Sequence, residues 1–327
     1  MREPQNRSSK LLISLPYYCG RASFANVALR VSFVWMKFAV LGLLLAGIFG
    51  LLSRLVQDKL RTLLFHNPVC LLAAPVILTA YFSVAASLAG AFSFHLAALV
   101  LAYTGVPALV AFAQPRERVK CPSAMDFATM LLLWLPLEAA VGASLVPRPA
   151  QGFLHSAAYG TAILLGLAIF LGYRSLDGMK YCWPSTRDVR YAALGFVLTA
   201  PVLIAVGRAI DFIPPYHAPA GPWHRWPVAF LVILVGTGLP EEILFRCLVQ
   251  NGLMLRFGSG FRTLFAAGLI FGCAHLDNGP QPAPNWRYMI LATLAGCAYG
   301  KVFQKGSSVW SSALFHALVD VTKHAIF

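Results

Sequence analysis

Acidic residues are scarce in this chain. Twelve Asp and Glu stand against twenty-six Lys and Arg in 327 residues, and only five of the acids are glutamates. Charged residues of both signs make up 12% of the sequence, where an ordinary soluble domain carries about 25%, so an ordinary soluble domain is excluded. The seven cysteines (19, 70, 121, 182, 247, 273 and 297) form no C-x-x-C pair. That argues against a disulfide framework or a zinc ribbon and leaves most of them as small apolar fillers. No H-E-x-x-H motif, internal repeat or low-complexity tract occurs.

What is abundant is apolar: 58% of the residues are hydrophobic and the mean hydropathy is +0.69. At roughly twenty apolar residues per crossing, this reads as an all-α, polytopic transmembrane helical bundle with about 8–10 membrane helices. The expected spans are about Val31–Leu52, two within Pro68–Ala113 turning near Gly90, Phe127–Val146, Phe153–Tyr173, Tyr191–Ile213, Pro227–Val249, Arg262–Leu276, Arg287–Val302 and Ser307–Phe327. Two of the last three are short enough to be re-entrant. The chain divides into a basic N-terminal arm (1–30), N-terminal transmembrane helices (31–213) and a C-terminal transmembrane domain (225–327).

The net charge of +14 invites a nucleic-acid reading, but the basic residues cluster in short loops between apolar segments. That pattern belongs to membrane topology, and nucleic acid is not an expected partner. Loops 53–66, 114–126, 174–190, 251–262 and 301–306 hold 3, 3, 4, 2 and 2 Lys or Arg, whereas the opposite set holds only Arg148, Arg225 and Arg287. The first set is therefore expected on the cytoplasmic side, and the loop 214–226 faces outward. With a single span at 31–52 the basic arm falls on the wrong side, so a segment within 11–30 enters the membrane, the first span is re-entrant, or the chain starts at Met36. Trp134, Trp183, Trp223, Trp226 and Trp310 read as interfacial anchors.

Against this apolar background three polar clusters interrupt the last hundred residues. In the first, Glu241 and Glu242 lie side by side in the run from Pro227 to Val249, with Arg246 four residues after Glu242. A charge at the centre of a membrane helix costs about 2.5–3.5 kcal/mol on insertion scales, so an adjacent pair needs a reason. Glu242 and Arg246 share a helix face and suit an ion pair, whereas Glu241 points about 100° away and stays free. The second cluster, Phe271-Gly-Cys-Ala-His275, ends a membrane helix. The third, His316-Ala-Leu-Val-Asp320, places two polar side chains on one face at i and i+4. Each alone has a structural reading: a buried ion pair, an interfacial histidine, a polar pair joining two helices. Glu138, in another apolar span, is structural or lines the cavity. His95, His155, His217, His224 and His324 are left as non-catalytic.

In order and spacing, Glu241, Glu242 and Arg246, then Phe271 and His275, then His316 and Asp320, the chain resembles the CPBP family of intramembrane proteases, which includes the CAAX prenyl endopeptidases and their bacterial relatives. The resemblance covers about residues 225–325. It implies an intramembrane endopeptidase in which Glu241, with His275, activates a water against the scissile carbonyl. Arg246 then anchors Glu242, and His316 with residue 320 stabilises the oxyanion. The family pattern ends in asparagine or, in a variant, in Asp; Asp320 departs from the prenyl-endopeptidase asparagine, and an ionised Asp cannot donate a hydrogen bond, so it orients His316 or is protonated. A membrane-anchored protein substrate, the lipid bilayer as surroundings and a bacterial inner (cytoplasmic) membrane follow from the resemblance, as does a role in maturing a sorted or anchored protein.

No cofactor is expected. The rival chemistry is a Zn²⁺ site of Glu241, His275 and His316, which has suitable ligand types but no short-range spacing. A second functional class, a non-proteolytic membrane protein such as a transporter or a bacteriocin-immunity protein, would use the same polar cavity for binding. The inverted repeats expected of a transporter are not evident.

Overall fold

The computed structural model describes residues 24–138, 144–146, 151–216, 222–278 and 283–326. Among them every regular element is helical. The first six helices are α1 (Phe24–Gly50), α2 (Arg54–His66), α3 (Cys70–Leu88), α4 (Phe94–Phe112), α5 (Ala124–Glu138) and α6 (Gln151–Leu167). A π-helical turn, Ala168–Tyr173, prolongs α6. They are followed by α7 (Thr186–Ala209), α8 (Trp226–Phe257), α9 (Phe261–Cys273), α10 (Trp286–Lys305) and α11 (Trp310–Ile326). The protein is an all-α, multi-pass integral membrane protein. Large apolar side chains stand exposed on the outward faces, among them Phe38, Ile77, Val197 and Val232. An apolar belt of this kind is what lipid requires.

Among the described residues, five helices are individually long and apolar enough to cross a membrane, and α1 joins them only when taken with α2. Sequence reasoning expected about ten spans. The other four expected spans correspond to α5, α9, α10 and α11, which are helices but do not meet that length and hydropathy on their own. The stretch 53–66, expected as a basic loop, is the helix α2, bent 88° from α1. The bend is held from inside: buried Gln57 donates from Nε2 to the carbonyls of Leu51 and Tyr181, both at 2.7 Å, and the Tyr181 hydroxyl donates to Ile48 O at 2.7 Å. The expected loop 251–262 likewise begins as helix, since α8 runs on to Phe257. Trp134 and Trp310 are not interfacial anchors. Both are buried, Trp134 edge-on to Phe245 and Trp310 stacked on Phe49, because neighbouring helices cover the faces that a single-helix view leaves open. Residues 1–23, which hold most of the expected arm, lie outside the described residues.

The five basic loops converge on one end of the bundle. Val119 N donates to Arg174 O, Arg116 donates to Phe65 O, and Asn251 Nδ2 donates to Asp177 O. Lys180 Nζ donates to the carbonyls of Phe303, Gln304 and Gly306 at 2.8–3.1 Å, closing the C-terminus of α10. Two buried carboxylates hold the same end together. Asp126 accepts two bonds from Arg174, and Asp188 caps α7 while accepting from the backbone N–H of Ser307 and Ser308. These contacts put all five loops on one side, as the charge count requires.

Two features place the C-terminal helices. Pro240 supplies no N–H to the helix ladder, and the chain answers with a π turn just before it, Leu234–Gly238, in which Leu239 N donates to Leu234 O. A second π stretch, Ile243–Gln250, follows the glutamates, and such bulges recur at functional sites. Between α9 and α10, Gly268, Gly272 and Gly296 let the two backbones touch. A Cβ at Gly272 would sit 2.0 Å from Thr293 Oγ1 and 2.7 Å from Met289 O, and one at Gly296 would sit 3.2 Å from Gly268 Cα. This is small-xxx-small packing, which membrane helices use to approach closely.

Gly272→Val is therefore expected to destabilise the folded protein by about 2–3 kcal/mol, the overpacking range. Thermal unfolding in detergent would show it as a lowered midpoint. Gly42→Val, where a Cβ meets nothing within 4 Å, should leave the midpoint unchanged; equal midpoints for both variants would contradict the close α9–α10 contact.

Candidate active site

The three polar clusters, up to seventy-nine positions apart in sequence, meet inside the bundle. Glu242 and Arg246 are wholly buried, and Arg246 Nε donates to Glu242 Oε2 at 2.8 Å. Arg246 also donates from Nη1 to Gln250 Oε1 at 3.2 Å, and Gln250 passes the chain on from Nε2 to Gly300 O at 3.0 Å. Its guanidinium lies over the Phe271 ring, 5.0 Å from the centroid, with Tyr299 at 5.9 Å. Cation–π contacts of this kind gain strength when desolvated. Glu242, Arg246 and Gln250 thus form a polar stripe at i, i+4 and i+8 within an otherwise apolar helix.

The other oxygen of Glu242 reaches across to α11. His316 Nδ1 lies 3.2 Å from Glu242 Oε1, and its Nε2 lies 3.4 Å from Asp320 Oδ2. The ring therefore faces a carboxylate on each side, the arrangement that an imidazolium with two N–H donors fills. Tyr299 stacks on the ring with centroids 4.7 Å apart and planes 19° from parallel, and Phe271 meets it edge-on. This fit needs α11 close to α8. Gly238 supplies the room: a Cβ there would lie 3.1 Å from Ala313 O.

Glu241 stands apart from this network, as its helical direction predicts. Its Oε2 is buried without a hydrogen-bond partner, and His316 Nε2 lies 4.0 Å away. Across from it His275, buried at the end of α9, has Nδ1 2.8 Å from Phe271 O. A carbonyl accepts only, so Nδ1 carries the proton and Nε2 is left as the open, accepting nitrogen. Phe271 and Tyr288 flank the imidazole at 4.8 and 4.6 Å.

Two small cavities adjoin His275. One, of about 40 Å³, is lined by Glu241, Glu138 and His275; the other, of about 70 Å³, by His275, His316, Asp320 and Tyr288. Both exceed the roughly 10–15 Å³ of probe volume that one water needs. A larger groove of about 630 Å³ is lined by Leu41 and Leu45 of α1, Tyr159 of α6, and Gly236 and Glu241 of α8. Glu138 lines this groove as well as the smaller cavity, in keeping with its expected place.

All six expected site residues, Glu241, Glu242, Arg246, His275, His316 and Asp320, are thus brought together. Among the described residues, no group of three or more His, Cys, Asp or Glu side chains is arranged to hold a metal ion, the set Glu241, His275 and His316 included. Sequence reasoning missed Gln250, Tyr299 and Tyr288. Gln250 could have been found as the next step of the i+4 stripe. The two tyrosines carry no local signal, since α10 brings them in only through tertiary packing.

Residues 223–322 match the family described as Rce1-like, type II CAAX prenyl endopeptidase Rce1-like, a segment that contains all six residues. No curated protein and no solved structure matches the chain.

Removing one member of the buried pair leaves a naked charge, which typically costs about 3–5 kcal/mol. Arg246→Met is expected to lower stability by that much, and Glu242→Gln combined with Arg246→Met to recover most of it. The measurement is thermal unfolding of the two variants beside wild type; an Arg246→Met protein as stable as wild type would show that the pair does not hold the site.

Proposed function

We propose, from the match of residues 223–322 to the Rce1-like, type II CAAX prenyl endopeptidase family, that the protein is a glutamate-dependent intramembrane endopeptidase cleaving a membrane-attached protein. One observation carries the reading. Glu241 Oε2 is a buried carboxylate oxygen with no hydrogen-bond partner, and Glu241 lines both a large groove and a small cavity that it shares with His275.

In the proposed reaction a water sits between Glu241 and the open Nε2 of His275. Glu241 takes one proton as the water oxygen bonds to the scissile carbonyl carbon. The carbonyl oxygen gains the negative charge, and the N–H at His316 Nε2, between Glu241 and Asp320, supplies the positive partner for it. Collapse of the tetrahedral species breaks the C–N bond, and the proton held on Glu241 passes to the leaving amine. Arg246 plays a separate part, since by pairing Glu242 it keeps the second carboxylate from repelling the first. Asp320 and Glu242 together orient the His316 ring. An acyl-enzyme does not enter the scheme, because among the described residues no Ser or Cys lines the two cavities that adjoin His275.

The groove's apolar walls suit the anchor of a membrane-bound substrate, and the polar end presents the water to its peptide bond. We place the protein in a bacterial cytoplasmic membrane, maturing a sorted or anchored protein without a cofactor.

Glu241→Ala and His275→Ala are each expected to reduce cleavage by about 10²–10⁴, the range for a positioned acid–base group. N-terminal peptide mapping of membrane fractions would score the fragments. They should persist in a chelator; loss on chelation would make the site metallic, and unchanged fragments in both folded variants would leave a binding role instead. Asp320→Asn keeps an oxygen acceptor for His316, so its activity should stay within about tenfold of wild type, while Asp320→Ala should lose more. Equal losses in the two would remove Asp320 as the residue that orients His316.

A further inference from the structure

On the face where the basic loops converge lies a cavity of about 850 Å³, bounded by α2, residues 116–118 and residues 171–182. Its lining includes five cations, Arg54, Arg61, Arg116, Arg118 and Lys180, against two carboxylates, Glu117 and Asp177. The cations differ in how far the fold occupies them. Arg61 donates to Leu171 O, Asp58 and Gln57, and Lys180 closes the end of α10 with three bonds. Arg118 makes one bond, to Asp177 Oδ1 at 2.7 Å, and Arg116 one, to Phe65 O at 2.8 Å. Arg54 is exposed and makes no hydrogen bond or ion pair among the described residues. A guanidinium has five N–H donors in a planar fork that matches phosphate oxygens. Three arginines around one cavity therefore keep most of their donors uncommitted.

The level of the cavity in the membrane is set by α2. This helix is bent 88° from α1 and exposes Leu55, Leu63 and Phe65, while Gln57 and Leu64 are buried against the protein. An amphipathic helix with apolar residues outward and basic residues beside them lies in the interface plane. The cavity behind it then opens among the lipid headgroups, where basic pockets attract anionic ones.

We propose that this cavity binds a phosphate-bearing anion through Arg54, Arg116 and Arg118, and that its occupant is the headgroup of an acidic phospholipid. The site is separate from the candidate active site and does not rest on the protease reading. Binding to the folded state raises stability by RT ln(1 + L/Kd), where L is the free ligand concentration, so the effect is measurable without a known substrate.

The test uses the full chain purified in neutral detergent. Dioleoyl phosphatidylglycerol, dioleoyl phosphatidylcholine and inorganic phosphate are titrated separately, reading the unfolding midpoint and, by native mass spectrometry, the retained adduct. Phosphatidylglycerol is expected to raise the midpoint by several degrees and to remain as a one-to-one adduct, with phosphatidylcholine doing neither. Arg54→Ala, which removes no bond of the fold, should weaken the phosphatidylglycerol response about tenfold, and Arg118→Ala similarly. Lys301→Ala, a basic residue of the same face outside the cavity lining, should leave it unchanged. An equal loss with Lys301→Ala, or an equal response to phosphatidylcholine, would overturn the proposal. Saturation by inorganic phosphate alone would keep the anion site and overturn the lipid as its occupant.

Discussion

The buried pair of Glu242 and Arg246 is the constraint on which the C-terminal half of the structure depends. Two full charges in an apolar bundle are tolerable only if each is paired and hydrogen-bonded, and the surrounding helices are arranged to meet that demand. Arg246 uses Glu242, Gln250 and the faces of Phe271 and Tyr299. Glu242 uses Arg246 and His316. Four helices, α8 to α11, are thereby tied to one point, each by a side chain that neutralises or solvates the same pair.

The backbone shows what that convergence requires. Close contact between α9 and α10 relies on residues without side chains at the crossing, and close contact of α11 with α8 relies on Gly238. The π turns on either side of Glu241 and Glu242 shift the helix register there. Together these place one carboxylate inside a hydrogen-bonded network and leave its neighbour lining the groove. That asymmetry is produced by adjacent residues on one helix.

The two ends of the molecule follow different physics. At the basic end, polar contacts between loops predominate: Asp126 with Arg174, Asp188 with the start of α11, and Lys180 with the end of α10. Water and headgroups are available there, so unfilled donors such as those of Arg54 carry little cost and can recruit an anion. In the bundle interior no such solvent is at hand, and an unfilled acceptor such as Glu241 Oε2 marks a place where a polar ligand is needed.

Much was legible in the chain itself. Periodicity and charge placed most membrane helices and put the basic loops on one side, because lipid allows no other backbone arrangement for long apolar segments. The i, i+4 spacings foretold that Glu242 faces Arg246 and that His316 faces Asp320, since both are properties of a single helix. Tertiary structure decided the rest. It turned 53–66 into a helix bent 88° from α1, buried Trp134 and Trp310, and brought Tyr288 and Tyr299 to the histidines. It also set His316 between two carboxylates, which makes Asp320 the partner of that ring. None of these has a local signature, because each depends on which faces of separate helices meet, and that is settled only when the whole bundle packs.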